Sequence, residues 1–389
     1  MAKSLSKIWL RGFKRLLAIQ TEHAQKTAKR AQARPVRAAT AKPSSKTHPL
    51  KPAAALRTLT RREAPRESRV RPRAAAWASG AWTRSFHSAP AAPGRLVNHL
   101  QYGLYIPSGH AREALPLVVM LHGCTQSIDD FAEGTRMNLL ADRYGFAVVY
   151  PEQSKHAHSH RCWHWYDAAG DAEARAVVSL VDALVEQHGF DRERVYAAGI
   201  SAGAGLTALL AVKYPEHFAA VALHSGPAFG EARSGVTAMD VMRRGARREP
   251  VELVDQNTNV AQYPGMPALI VHGDADHVVT PVNADQLAAQ FLRLNRFIDA
   301  NGARKAGETR EDRKNGVVTR DYLRGGRRVV RVCRVQGLGH AWAGGDDALP
   351  FHSSKGPDAS AMLWEFFRHQ RRADAGRVAE GLATSSAGR

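Results

Sequence analysis

The segment Val195-Tyr-Ala-Ala-Gly-Ile-Ser-Ala-Gly-Ala-Gly-Leu-Thr-Ala-Leu-Leu210 constrains the fold more than any other stretch of the chain. A short β-rich run passes through Gly199-Ile200-Ser201-Ala202-Gly203 into an Ala/Leu-rich helical run. A strand that turns so abruptly into a helix leaves no room for a Cβ two residues either side of the serine, so glycine is required at 199 and 203. The serine hydroxyl is then held above a sheet edge, with a helix N-terminus behind it. The five-residue string alone arises by chance in roughly one such chain in five. Its placement between a strand and a helix makes it a candidate nucleophile elbow.

The surrounding sequence supplies the rest of such a sheet. Leu100–Ile106, Leu115–Leu121, Phe146–Tyr150, Val195–Ile200 and Ala268–Val271 read as strands, short and mostly Val/Ile/Leu/Ala-rich. Helical patterns separate them. In Ala172–Gln187 an i, i+3, i+4 stripe of Ala176, Val177, Leu180, Val181, Leu184 and Val185 is closed by Gly189. This alternation predicts a mostly parallel sheet with helices on both faces. Val317–Leu323 and Arg328–Val335 flank Arg324-Gly-Gly-Arg327 as a late hairpin, and Met362–His369 reads as a closing helix. Residues 227–264 lack a clear period and are expected as a small cap or loop insertion over one end of the sheet.

Charge divides the chain sharply. Residues 1–95 hold 22 Lys/Arg and three acidic residues, which accounts for the whole formal charge of +19; residues 96–389 hold 33 of each sign. A basic globular domain is therefore excluded, although the basic arm leaves nucleic-acid binding as a remote alternative. Within the arm, Leu5, Ile8, Trp9, Phe13, Leu16 and Ile19 share one helical face opposite Lys7, Arg11, Lys14 and Arg15. Such a basic amphipathic helix suits an anionic surface or polymer granule. Residues 21–75 are Ala/Arg/Lys/Pro/Ser-rich and expected to be disordered. The organisation expected is thus an arm over 1–75, a catalytic domain over 76–372 opening at Trp77, Trp82 and Phe86, and a disordered tail over 373–389. No run approaches the roughly 18 apolar residues of a membrane span, and lysines and arginines interrupt every apolar run of a would-be signal peptide.

A serine hydroxyl needs a base and an orienting carboxylate, which an α/β-hydrolase sheet supplies in the chain order Ser, Asp, His. Leu269-Ile-Val-His-Gly-Asp-Ala-Asp-His-Val-Val279 and Gly337-Leu-Gly-His-Ala-Trp342 provide them. Asp276 and His340 are assigned. Asp274 competes with Asp276 and is read instead as a cap of its own loop; His272 and His277 compete with His340 and are read as structural. Two backbone donors must also face the oxyanion, one just after the nucleophile and one from an earlier strand–loop junction. Ala202 and Cys124, or Thr125 in place of Cys124, fill these positions, with Gly123 admitting the substrate.

Several motifs resemble the poly(3-hydroxybutyrate) depolymerase family of esterases across roughly residues 80–370. They are Tyr105-Ile-Pro-Ser, Leu121-His-Gly-Cys-Thr-Gln-Ser127, Gly134-Thr-Arg-Met-Asn138, Val149-Tyr-Pro-Glu-Gln153, Cys162-Trp-His-Trp165, Gly199-Ile-Ser-Ala-Gly203, His224-Ser-Gly226 and Gly337-Leu-Gly-His-Ala-Trp-Ala-Gly-Gly345. The resemblance implies an α/β-hydrolase fold and carboxylic ester hydrolysis, on polyhydroxybutyrate or short hydroxyacyl esters or, alternatively, on feruloyl or acetylxylan esters. It places the triad on Ser201, Asp276 and His340. Secretion is implied by the relatives, with a cytoplasmic location as the alternative given the basic N-terminus.

Trp163, Trp165 and Trp342 lie near the ends of strands bearing these loops and are candidates to line an apolar groove. The His156, His158, His160 run reads as a solvated loop. Cys124 and Cys162 follow strand-like segments at the same carboxyl edge of the sheet, so a disulfide is expected if the chain is exported and free thiols if it is not. No phosphate loop, dinucleotide fingerprint or metal-ligand cluster appears, and no cofactor is implied.

Overall fold

The computed structural model describes residues 78–91, 98–111 and 114–372. The amphipathic helix expected within 1–20, the remainder of the arm, Trp77 and the tail lie outside the described residues.

Two strands, β1 (Ala81–Ala89) and β2 (Asn98–Ile106), open the domain and are followed by β3 (Leu117–Leu121), α1 (Ile128–Thr135), α2 (Met137–Tyr144) and β4 (Ala147–Glu152). Next come α3 (Ala168–His188), β5 (Val195–Ile200), α4 (Ala202–Lys213), β6 (Ala220–His224), α5 (Gly235–Arg244), α6 (Pro250–Asn257), β7 (Ala268–Gly273) and α7 (Val282–Leu294). The chain continues through β8 (Glu308–Lys314), β9 (Val317–Arg324), β10 (Arg327–Val335), two short strands β11 (Trp342–Ala343) and β12 (His352–Ser353), and α8 (Ala359–Phe367).

Ten strands form one sheet in the order β1-β2-β4-β3-β5-β6-β7-β10-β9-β8. The run from β4 to β10 is parallel, and antiparallel strands extend it at both ends. Every residue of β3, β4, β5, β6 and β7 is buried, which is why these segments read as unbroken apolar runs and not as alternating ones. One sheet face, with Val118, Met120, Val148, Tyr150, Tyr196 and Ala198, packs in a single core with Phe131, Trp364 and Phe367 from α1 and α8. The stripe of α3 is buried as its spacing predicts; Asp167 caps the helix start by accepting from the amides of Ala169 and Gly170, and Gly189 ends it with φ of 65°.

The parallel order has a direct consequence for chemistry. Because β3, β5, β6, β7 and β10 run side by side in one direction, the residues that follow each of them emerge along one carboxyl edge, where open α/β sheets hold their ligands.

The sequence reading missed three strands. Strands β1 and β6 were not anticipated, nor was β8, whose residues Glu-Thr-Arg-Glu-Asp-Arg-Lys are all exposed. It is an edge strand covered in charge, a device that blocks pairing with other chains. Residues 227–264, expected as a small cap or loop insertion, contain two helices, α5 and α6, tied to α7 and the turn before it. Thr280 N donates to Met242 O (2.8 Å), Gln286 bonds both backbone groups of Ala246, and Arg293 pairs with Asp255.

Candidate active site

Ser201 caps the start of α4 with φ 57° and ψ −123°, a backbone conformation that side-chain-bearing residues seldom adopt. The turn is held on both sides. Ser201 N donates to His224 O (3.0 Å) at the end of β6, and Gly205 N donates back to Ser201 O (3.0 Å). A Cβ on Gly199 would lie 2.4 Å from the carbonyl carbon of Gly203, and one on Gly203 would lie 2.2 Å from Leu121 O. Both obstacles are backbone, so neither position admits another residue without moving a strand.

Asp276 and His340 meet from the loops after β7 and β10. His340 Nδ1 donates to Asp276 Oδ2 at 2.8 Å, and Asp276 Oδ1 accepts from the amides of Val278 and Val279, both at 2.9 Å. Burial pushes the Asp276 carboxyl up, but the His340 charge and hydrogen bond, His272 and the Val279 amide outweigh it and hold the group below the ordinary carboxylate range. His340 Nε2 is thereby left as the free nitrogen of the ring, with no hydrogen-bond partner among the described residues. The Ser201 hydroxyl also has none among the described residues, so no hydrogen bond joins it to His340. Such contacts in ligand-free enzymes commonly tighten only when substrate arrives.

The competing residues do other things. Asp274 Oδ1 accepts from Gly337 N (2.7 Å) and so clamps the start of the His340 loop. His272, within β7, donates from Nε2 to Val279 O (2.8 Å), and His277 is exposed.

The loop after β3 lies directly against the serine: a Cβ on Gly123 would sit 3.4 Å from Ser201 Cβ. Thr125 N is engaged by His160 O (2.6 Å) and Gly123 N by Gln126 Oε1 (2.8 Å). The Cys124 amide carries no such bond among the described residues, and the Ala202 amide, at the first turn of α4, has no intrahelical acceptor. Cys124 is bonded to Cys162 through a disulfide that ties this loop to the one after β4.

Three groups that sequence reasoning missed organise this edge. His122 donates from Nδ1 to Gly123 O (2.8 Å) and accepts at Nε2 from Gln153 N (3.0 Å); burial pushes its pKa down to about 4, so the neutral tautomer that makes both bonds persists. His224 accepts at Nε2 from Ala343 N (3.2 Å) and stacks on Trp342 at 5.0 Å, linking the strand end that holds Ser201 to the chain just after His340. Gln126 joins the Gly123 amide to Pro350 O, to which its Nε2 donates (3.3 Å). For His122 and His224 the signal was a polar residue beside a glycine or inside an apolar run, whereas Gln126, between Thr125 and Ser127, carried none, and only the partners reveal the use of each.

The tryptophans are corrected. Trp163 and Trp342 are each 1% exposed and Trp165 is 6% exposed. Trp342 lies edge-on to Phe131 and donates to Ser360 Oγ (3.1 Å), Trp163 packs on His122, and Trp165 lies against Gly205. Their rings fill the interior beneath the loops and do not line an open groove. His158 is also more than a solvated residue, since its Nδ1 accepts from the amides of His160 and Cys162 (both 3.3 Å). Among the described residues no three His, Cys, Asp or Glu side chains are grouped as a metal ion would require.

A family model described as "Esterase PHB depolymerase" matches residues 100–315, a span that takes in Ser201 and Asp276 and ends before His340. Poly(3-hydroxyalkanoate) depolymerase C of Paucimonas lemoignei is 34% identical over 209 residues, covering 52% of this chain and 50% of that protein. The chain thus spans about half the length of that relative. Feruloyl esterase B of Thermothelomyces thermophilus is 31% identical over 211 residues, covering 50% of this chain and 70% of that protein. Among solved structures, an acetyl xylan esterase from Aspergillus awamori superposes with a TM-score of 0.56 at 19% identity, covering 73% of this chain and 98% of that one, a likeness of fold.

Proposed function

Because the chain belongs to the family described as esterase PHB depolymerase, we propose that it is a serine carboxylic ester hydrolase whose triad is Ser201, His340 and Asp276. The observation that carries the reading is the buried His340–Asp276 hydrogen bond on the same sheet edge as the strained serine. His340 Nε2 takes the Ser201 proton as Oγ attacks the ester carbonyl carbon, and Asp276 holds the proton-bearing Nδ1 and stabilises the imidazolium. The amides of Cys124 and Ala202 donate to the oxyanion. Collapse breaks the ester C–O bond, and the proton on His340 passes to the departing alcohol. Water then attacks the acyl-serine, giving one proton to His340; the acid leaves, and Ser201 recovers its proton.

The substrate class follows the relatives: polyhydroxybutyrate-type polyesters and short hydroxyacyl esters. The match to a protein named feruloyl esterase B over 70% of its length favours a second reading, a feruloyl or acetyl ester of plant polysaccharide. Hydrolysis rates on a polyhydroxybutyrate suspension, a hydroxybutyrate dimer, a feruloyl ester and an acetylated xylan rank these directly. Labelling of Ser201 by a fluorophosphonate, absent in Ser201→Ala, tests the nucleophile; an unlabelled wild-type protein rejects the assignment and favours a binding role for the basic arm.

The arm over 1–75 is proposed to bring this hydrolase to an anionic lipid surface or polymer granule. Full-length and truncated protein co-sedimented with acidic vesicles or granules at low and high salt test it. Equal, salt-independent binding by both forms removes the idea.

A further inference from the structure

Phe351 stands out at this edge for a reason that packing does not supply. Its φ is 62°, in the left-handed region that a bulky residue occupies only where its surroundings force it. The surroundings do. Its carbonyl accepts from Trp342 N (2.8 Å), and the carbonyl before it, of Pro350, accepts from His352 Nδ1 (2.9 Å) and from Gln126 Nε2 (3.3 Å). The parallel pairing of β11 with β12 sets Trp342 opposite His352, so the residue just before β12 is carried alongside the chain that follows His340. The Phe351 ring meets the His340 imidazole edge-on, with centroids 6.2 Å apart, and remains half-buried while His352 beside it is buried. Gln126 bonds the Gly123 amide with its other end, so one side chain fixes the Phe351 turn relative to the oxyanion loop.

We infer that Phe351 is a specificity-determining residue, an apolar wall for the alcohol portion of the ester. This rests on the ester-hydrolase reading and extends it. In that chemistry the histidine hands its proton to the departing alkoxide, so a ring beside the imidazole borders the alcohol side of the scissile bond and not the acyl side. The inner nitrogen of His340 is occupied by Asp276 in the interior, so the ring of a partly buried residue set edge-on to the imidazole stands on its accessible side. An aromatic face held in place by backbone bonds on both sides favours bulky apolar alcohols by covering their surface, with little ordering cost on binding.

The test uses the full chain and two ester series: acetates of methanol, butanol and 2-phenylethanol, and p-nitrophenyl esters of acetate, butyrate and octanoate. Phe351→Ala is expected to lower the kcat/KM ratio of 2-phenylethyl to methyl acetate by about tenfold, chiefly through KM, while the acetate-to-octanoate ratio of the second series stays within about twofold. Phe351→Gly removes the ring and the backbone strain together, so it is expected to melt no lower than wild type and to show the same loss of alcohol preference. Phe351→Leu is expected to retain most of that preference. An unchanged alcohol ratio in Phe351→Gly, or a shift confined to the acyl series, overturns the inference while leaving the esterase reading intact. A wild-type protein that hydrolyses neither series overturns the esterase reading and the inference with it.

Discussion

Gly337 N donates to Asp274 Oδ1 at 2.7 Å, so the loop that presents His340 is gripped near its start by the same loop after β7 that supplies the Asp276 carboxylate to His340 Nδ1. Two aspartates two positions apart thus hold one loop, the first by a backbone amide and the second by the imidazole itself. Asp276→Asn keeps the shape but cannot hold the required tautomer, and kcat is expected to fall by about 10⁴. Asp274→Asn retains an acceptor for the Gly337 amide and is expected to stay within a few-fold of wild type. Steady-state kinetics on a soluble ester check the ranking; the reverse order moves the acid to Asp274.

The strain at Ser201 gives a second expectation. Ser201→Ala and Ser201→Gly both remove the nucleophile, but only glycine accepts φ 57° and ψ −123° freely. Relief of that strain exceeds the entropy glycine adds to the unfolded chain, so Ser201→Gly is expected to be more stable than Ser201→Ala by about 1 kcal/mol. Denaturant titration of the two inactive variants reads the difference directly.

What the chain discloses before folding follows from how narrow each requirement is. An elbow needs two glycines and a serine in fixed register because backbone atoms of Gly203 and Leu121 lie within 2.4 Å of where a Cβ would stand, and that demand is written in five consecutive residues. The Asp276–His340 pair was legible because chain order and strand ends leave few Asp and His to choose from. Phe351 was not, since its contact with His340 exists only through the pairing of β11 with β12, two strands of two residues each. The charged strand β8 was hidden because an edge strand needs no apolar face. The three tryptophans misled because an aromatic next to a catalytic loop reads the same in sequence whether it lines a groove or supports the loop from below.

The disulfide leads to a third expectation. Cys124 and Cys162 close a loop across 38 residues, which in the loop-entropy account is worth about 4 kcal/mol. Cys124 also offers the proposed oxyanion amide, so loosening its loop touches catalysis as well as stability. Cys162→Ser is expected to lower stability by about 2–4 kcal/mol and kcat by about tenfold or more, with KM for a small ester little changed. A variant that loses stability but keeps kcat at temperatures where it remains folded shows that the oxyanion loop is held by His122 and Gln126 alone.

Acid should unfold the protein through its buried histidines. Burial lowers the pKa of His122 and His352 from 6.5 to about 4, and burial with the neighbouring His272 and His340 lowers that of His224 to about 3. All three are below a tenth exposed. In the unfolded chain each binds a proton as pH falls through 6.5, whereas the folded protein refuses it until about pH 4 or 3. Between these limits the unfolded state holds more protons, so stability is full above pH 6.5 and declines as pH falls, by up to about 1.4 kcal/mol per pH unit for each group. Three groups acting together bring the slope toward about 4 kcal/mol per pH unit, large against the roughly 5–15 kcal/mol that holds a typical domain together. Asp276, whose pKa is depressed, adds to the loss only at lower pH, as it is protonated below the ordinary carboxylate range. Thermal melts at pH 7, 6 and 5 are therefore expected to show a steepening fall in Tm. Replacement of His352 by Gln, which removes one titrating ring from the set and keeps a donor for the Pro350 carbonyl, is expected to reduce the slope between pH 6 and 5 by up to about 1.4 kcal/mol per pH unit; a slope unchanged in that variant takes His352 out of the set that drives acid unfolding.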